Sequence, residues 1–340
     1  MDNCNDNRDK MILFSFFMTL LIVIYHLAPH LINLMPNDEN YLYLNNFFDT
    51  FGSIALNYFF AASAYKFYIS LKPIKMKLKK RIITLIIPYI VWNTIYIFIY
   101  IMQHNDINLK SIFLGYTLTP FDGPLWYIFL LYIFFVSISF FEYKGFVFSK
   151  SRTLYLCVTL AIIAAFFHDM TIKSLLNFPY LWWLERALRM LPPFLFGIYL
   201  SKKDVTRSYK FDNHNVKIFQ IFFILCSVIL AIYLGDSFIT TLLLYSITFL
   251  IWKLIPNIKL KKKSILRMNV FTVYAVHEGI IILLISILNK MSISFENGIF
   301  LIISIFSIIM TIYILCFFLN KFIRICPPIV DNILTGGRNR

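Results

Sequence analysis

Apolar residues run along this chain in long continuous blocks, separated by short polar segments. Ten blocks stand out, at roughly 11–28, 50–70, 82–102, 124–142, 153–168, 184–200, 216–234, 237–254, 270–289 and 297–322. Continuous runs of this kind predict membrane-spanning helices, which need about 20 apolar residues each. A transmembrane barrel would instead show short alternating segments. The block at 153–168 is short for a span and calls for a thin or sheltered site.

The polar segments alternate in charge. Segment 71–81 carries Lys72, Lys75, Lys77, Lys79, Lys80 and Arg81, and 143–152 carries Lys144, Lys150 and Arg152. Segment 201–215 carries Lys202, Lys203, Arg207 and Lys210, and 255–269 carries Lys259, Lys261, Lys262, Lys263 and Arg267. Between them, 29–49 has no Lys or Arg, and 103–123, 169–183 and 290–296 have only Lys110, Lys173 and Lys290. The positive-inside rule then places both termini in the cytoplasm. The expected fold class is all-α: one membrane-embedded domain over 1–340, about ten transmembrane helices, multi-pass in the cell inner (plasma) membrane. No soluble domain, long linker or internal repeat stands out.

Composition agrees with a lipid-solvated chain. Of 340 residues 59% are hydrophobic, 37 are Phe, and the mean hydropathy is +0.73; soluble domains hold about 45–50% apolar residues. A net charge of +15 would suit a nucleic-acid partner, but the cations sit between apolar blocks as topology signals, so none is expected. The five cysteines, 4, 157, 226, 316 and 326, show no disulfide or metal spacing, and no metal is expected. The start MDNCNDNRDK lacks the basic region of a cleaved leader, so the first helix is expected to be retained as a signal anchor.

Ionisable residues inside apolar blocks mark candidate chemistry, because placing them there is costly. His26 lies near the end of the first block, about 22 Å from its inner end at 1.5 Å per residue, hence in the outer half of the membrane. Its imidazole suits a general base that takes a proton from a hydroxyl. His30, beyond Pro29, reads as a solvated loop residue. Arg81 closes the run KMKLKKR at the cytoplasmic face, where it serves as a lipid-headgroup contact or as a planar phosphate clamp for a cytosolic donor such as acyl-coenzyme A.

Trp126 marks the outer end of the fourth helix. Trp182, Trp183, Glu185, Arg186 and Arg189, with Asp236 close in topology, gather near the outer end of the sixth. They read either as an interfacial belt or as polar groups beside aromatic faces that hold a sugar. His277 and Glu278, in VYAVHEGI, fall in the inner half of the ninth helix as a structural pair or a proton relay.

Read in order, these motifs resemble the bacterial integral-membrane acyltransferase family 3 over nearly the whole chain. The aromatic–His pair ending the first helix is matched by Tyr25–His26. The Phe-rich stretch of the second is matched by Phe59, Phe60, Ser63 and Tyr65, with Ala64 in place of glycine. Arg81 and Pro88 keep the register of an R-x-x-R start to the third helix, but Thr84 replaces the second arginine, so that Lys80 or Lys79 would substitute as a point charge. Leu125–Trp126–Tyr127, Pro193–Phe194 with Gly197, Tyr274 with His277, and the tail Leu334–Thr335–Gly336–Gly337–Arg338 complete the match.

The resemblance implies O-acyl transfer, usually acetyl, from cytosolic acyl-CoA (acetyl-CoA) to a hydroxyl of an envelope saccharide or lipid-linked glycan, within membrane lipid. His26 would act as base or as acyl relay, with Arg81 and Lys80 toward the donor. Some relatives carry an extracytoplasmic transferase domain; this chain is expected to act alone or with a separate partner of that kind. Rival readings are a transporter or flippase, with His26, Arg186, Arg189, His277 and Glu278 lining a path, and an acyl exporter feeding another transferase.

Overall fold

The computed structural model describes residues 2–32, 41–103, 109–117, 120, 123–174, 179–202, 214–254, 270–290 and 298–337. All regular structure among the described residues is helical. The basic segment 255–269, most of 201–215, and Arg338 of the tail lie outside them.

Each apolar block falls on a helix. In order these are α1 (Asp2–Ile32), α2 (Tyr41–Ile69), α3 (Ile74–Arg81), α4 (Ile87–Gln103), α5 (Leu109–Thr117), α6 (Trp126–Tyr143) and α7 (Lys150–Ser174). There follow α8 (Pro179–Lys202), α9 (His214–Leu234), α10 (Phe238–Leu254), α11 (Val270–Lys290), α12 (Gly298–Ile325) and α13 (Pro328–Thr335). The block read as short, 153–168, belongs to the 25-residue helix α7; Lys150 and Arg152 at one end and His168 and Asp169 at the other interrupt its apolar pattern but not the helix. Helices α3, α5 and α13 are additional, in the basic segment 71–81, inside the 103–123 loop and after the last block.

Seven helical stretches among the described residues are long and apolar enough to cross a membrane: Met11–Ile32, Ile74–Ile101, Gly123–Tyr143, Lys150–Thr171, Val216–Leu234, Val270–Lys290 and Ile303–Ile325. On α9, Ile218, Phe219, Phe222, Leu225, Ile229 and Tyr233 are all exposed, a surface that lipid solvates and water does not. The 17-residue α10 is apolar but shorter. Helices α2 and α8, at 29 and 24 residues, have the length but more polar residues. Both carry heavily buried stretches, among them Ala61, Ala64, Phe194 and Ile198 at 0% exposure, so neighbouring helices rather than lipid cover their polar groups.

The helices fall into two compact units. The first comprises α1 up to Ile22, α2 and α7 to α10; the second comprises α1 from Val23, α3 to α6 as far as Phe140, and α11 to α13. In the first, α8 packs against α2 and α7, and α10 against α2, α7 and α9. Closest approach is at Gly197, where an added Cβ would overlap the Ala61 carbonyl oxygen and the Ala64 Cβ, the small-residue contact that lets membrane helices meet. Gly197→Ala is expected to cost about 1–3 kcal/mol by overpacking against backbone. Thermal unfolding of the detergent-purified protein checks this, with Gly123→Ala as the neutral control because nothing lies within 4 Å of its added Cβ.

In the second unit, α3 runs through one π-helical turn, Ile82–Ile86, into α4. Pro88 explains the wide turn: it has no N–H for the Thr84 carbonyl, and its ring would strike that carbonyl in a regular helix. Helix α13 packs on α4, where Trp92 Nε1 donates to the Leu334 carbonyl (2.9 Å). The left-handed Gly336 (φ 66°) that ends α13 presses on the Thr84 backbone. The position that departs from the arginine pattern is therefore covered by the chain's own C-terminal turn.

Candidate functional site

His26 and His30 stand one turn apart on α1. In the structure α1 continues through Pro29 to Ile32, so His30 is helical rather than a loop residue; membrane helices tolerate an internal proline when neighbours satisfy the backbone. Residues i and i+4 share a face, and both histidines reach Glu278 on α11. His26 Nδ1 lies 3.5 Å from Glu278 Oε2, and His30 Nε2 lies 3.8 Å from Glu278 Oε1. The His26 ring also packs edge-on against His277 at 5.1 Å between centroids, with Tyr25 on its other side at 4.9 Å.

His277 is fully buried. Its Nδ1 lies 2.8 Å from the Tyr274 carbonyl and 3.1 Å from that of Val273. A proton on Nδ1 satisfies those acceptors and leaves Nε2 as a bare lone pair, and Nε2 has no hydrogen-bond partner. One turn back, the Tyr274 hydroxyl donates to the Pro124 carbonyl. One residue past Glu278, the Gly279 N–H donates to the Tyr96 hydroxyl at 3.1 Å.

The contact with His26 is at odds with opposite membrane depths for His26 and His277. Counting from Val270 puts it in the inner half, yet it touches His26, and its neighbours are the Pro124 end of α6 and the late part of α4. The charge pattern assigns both of those regions to the outer half.

Arg81 belongs to the same unit. It is half-buried, with its guanidinium 4.7 Å above the Phe135 ring and within electrostatic reach of Tyr127. Lys80 is exposed. Tyr127 packs on Tyr274 at 5.6 Å, Tyr274 on His277 at 6.0 Å, and His277 on His26. A row of rings thus leads from the neighbourhood of Arg81 to His26. Fifteen residues of helix separate Arg81 from Tyr96 beside the cluster, about 22 Å at 1.5 Å per residue. Trp126 is buried at the start of α6, next to Tyr127. An open cavity of about 440 Å³, lined by His30, Ile282, Ile285, Ser286, Asn289 and Lys290, adjoins the cluster through His30.

The charges of α8 lie in the other unit, where Glu185 and Arg189 stay together and Arg186 turns away. Glu185 bonds His168 Nδ1 at 2.7 Å and contacts Arg189 Nε at 3.6 Å. His168 Nε2 lies 3.8 Å from Asp236 in the α9–α10 turn. That proximity to His168 holds the Asp236 carboxyl below the usual carboxylate range. The Arg189 backbone carbonyl accepts from the Tyr245 hydroxyl at 2.8 Å. Arg186 lies over the exposed Trp182 ring, 3.2 Å from its centroid. Sequence reasoning missed His168 because it closes the short block at 153–168; its place at the end of an apolar run, like that of His26, was the available signal.

A family model described as an acyltransferase domain, of acyltransferase family 3, matches residues 15–324. No curated protein and no solved structure matches the chain. The matched stretch takes in His26, Arg81, the row of tyrosines, His277 and Glu278, and so the whole of the cluster and its approach. With an all-helical fold whose long apolar helices suit a bilayer, the chain belongs to acyltransferase family 3 and is a multi-pass membrane acyltransferase.

Proposed function

We propose that this acyltransferase moves an acyl group, acetyl in the simplest case, from cytosolic acyl-CoA to a hydroxyl of an envelope or exported saccharide across the plasma membrane. The observation that carries the reading is the contact between His26 and Glu278 at 3.5 Å, set at the end of the row of rings that begins beside Arg81. A carboxylate facing Nδ1 stabilises the tautomer with its proton there and raises the basicity of Nε2. His26 then takes the proton of the acceptor hydroxyl while the oxygen attacks the thioester carbonyl. The tetrahedral adduct expels the CoA thiolate, which takes the proton back from the imidazolium. An acyl-His26 relay is the variant in which imidazole attacks first.

Arg81 and the lysines beside it suit the phosphates of the donor, whose long thin arm would pass along the rings toward His26. Proximity of thioester and hydroxyl then supplies much of the rate. The open cavity, with Ser286, Asn289 and Lys290 on its wall, offers the saccharide polar partners. Both termini are cytoplasmic in this reading. A separate extracytoplasmic transferase remains compatible with it if labelled acyl groups leave the membrane without a saccharide on the enzyme itself.

The test is transfer of label from acetyl-CoA to crude envelope glycan in membranes holding the protein. Arg81→Ala is expected to raise the donor KM roughly tenfold or more, since hydrogen bonds to a charged group are worth about 1.5–3 kcal/mol. A donor KM unchanged by Arg81→Ala removes Arg81 from the donor site. Label that enters no glycan in wild-type membranes, but crosses them, favours the exporter reading.

A further inference from the structure

We propose that His26, His277 and Glu278 form a divalent-metal site of the Zn²⁺ class, and that a bound ion holds the enzyme inactive. The three residues each offer one ligand atom within 4.8 Å of the other two. One edge, His26 Nδ1 to Glu278 Oε2 at 3.5 Å, is close to the separation of about 3.4 Å between ligands on a tetrahedral ion with bonds near 2.1 Å. The other edges are no longer than 4.8 Å.

The second observation is His277 itself. It is 0% exposed, and its Nε2 has no hydrogen-bond partner. A buried acceptor without a partner costs about 1–3 kcal/mol, and an ion supplies that partner. Its Nδ1, held by the Tyr274 and Val273 carbonyls, has the outer hydrogen bonding that fixes the tautomer and ring direction of metal-ligating histidines. Glu278 is braced likewise, with Oε1 facing His30 Nε2 at 3.8 Å. Two imidazoles and one carboxylate are a borderline donor set that suits Zn²⁺, with the fourth position open to water. The open cavity is lined by His30, whose Nε2 lies 3.8 Å from Glu278 Oε1.

No sequence spacing announces this site. Two ligands are adjacent on α11 and the third is 251 positions away on α1 (277 − 26 = 251). Ion binding stands on this geometry alone. Only its consequence rests on the proposed function: an ion on His26 Nδ1 leaves the ring's one proton on Nε2, the atom that would take the acceptor's proton.

The experiment uses the full chain, purified with a chelator and reconstituted in lipid nanodiscs, with Co²⁺ as the probe. Wild-type protein is expected to bind one Co²⁺ with intense visible bands of a four- or five-coordinate ion, and Zn²⁺ is expected to displace it. His277→Gln and Glu278→Gln are each expected to weaken binding at least tenfold, as losses around such sites do. In membranes, Zn²⁺ should lower acyl transfer at least tenfold, with chelator restoring it. Absence of the bands, or Co²⁺ affinity unchanged in either folded variant, overturns the site. Bands with no inhibition by Zn²⁺ overturn the inhibitory role. Because the spectra do not need turnover, failure to find an acceptor leaves the metal result readable.

Discussion

His26→Ala is expected to lower acyl transfer by about 10²- to 10⁴-fold, the range a positioned general base contributes, with insertion and donor KM near wild type. The fold should survive because His26 is partly exposed, at 22%, while its neighbours Val23 and Leu27, at 0% exposure, carry the packing of that stretch of α1. Glu278 keeps His30 as a partner after the truncation. The measurement is initial rate of label transfer to envelope glycan, normalised to inserted protein. An unchanged rate makes His26 a structural histidine and brings the transport reading forward. A rate that falls together with a raised donor KM would mean instead that the imidazole helps seat the thioester.

Much of the fold was legible because the bilayer imposes one strong rule: long apolar runs become helices. The shorter elements escape that rule. Helix α13 spans eight residues, too few to register as a block, yet its stop and start were written in Gly336–Gly337 and in Pro327–Pro328, signals that bound a helix. The two N–H groups of that glycine pair close onto the Asn332 and Asp331 carbonyls, the capping arrangement such a pair favours.

For the site, the cost of burying an ionisable group singled out His26, His277 and Glu278 one by one. That they meet was not legible. Counting residues from the edges of apolar blocks assigns a depth to each helix separately, and that count put His26 and His277 in opposite halves. His30 was lost to a rule learned from soluble helices, in which Pro29 should end α1. The α8 charges show the converse. Close in sequence, Glu185, Arg186 and Arg189 read as one polar face, but the structure keeps only Glu185 and Arg189 together, with His168 on α7, and turns Arg186 to Trp182.

The pairing of Glu185 with His168 sets the second large effect. Both side chains are nearly buried, at 11% and 7% exposure, and α7 and α8 pack along each other. Glu185 faces His168 at 2.7 Å and Arg189 at 3.6 Å. Glu185→Ala leaves two basic groups in a low-dielectric interior, with Asp236, 3.8 Å from His168 and largely exposed, and Asp49, within electrostatic reach of Arg189, as neighbouring carboxylates. Breaking a buried pair from one side costs about 3–5 kcal/mol, more than removing both partners, because a charge is stranded. Glu185→Ala should therefore lower the thermal stability of the detergent-purified protein strongly, and His168→Ala added to it should recover part of the loss. That recovery is what separates a structural pair from a sugar-binding carboxylate. If Glu185 held the acceptor, its truncation would raise the acceptor KM and leave stability near wild type, and the His168 change would rescue nothing. A stability loss under about 1 kcal/mol, the range of an exposed ion pair, would return Glu185 to the saccharide site that its neighbours in sequence suggest.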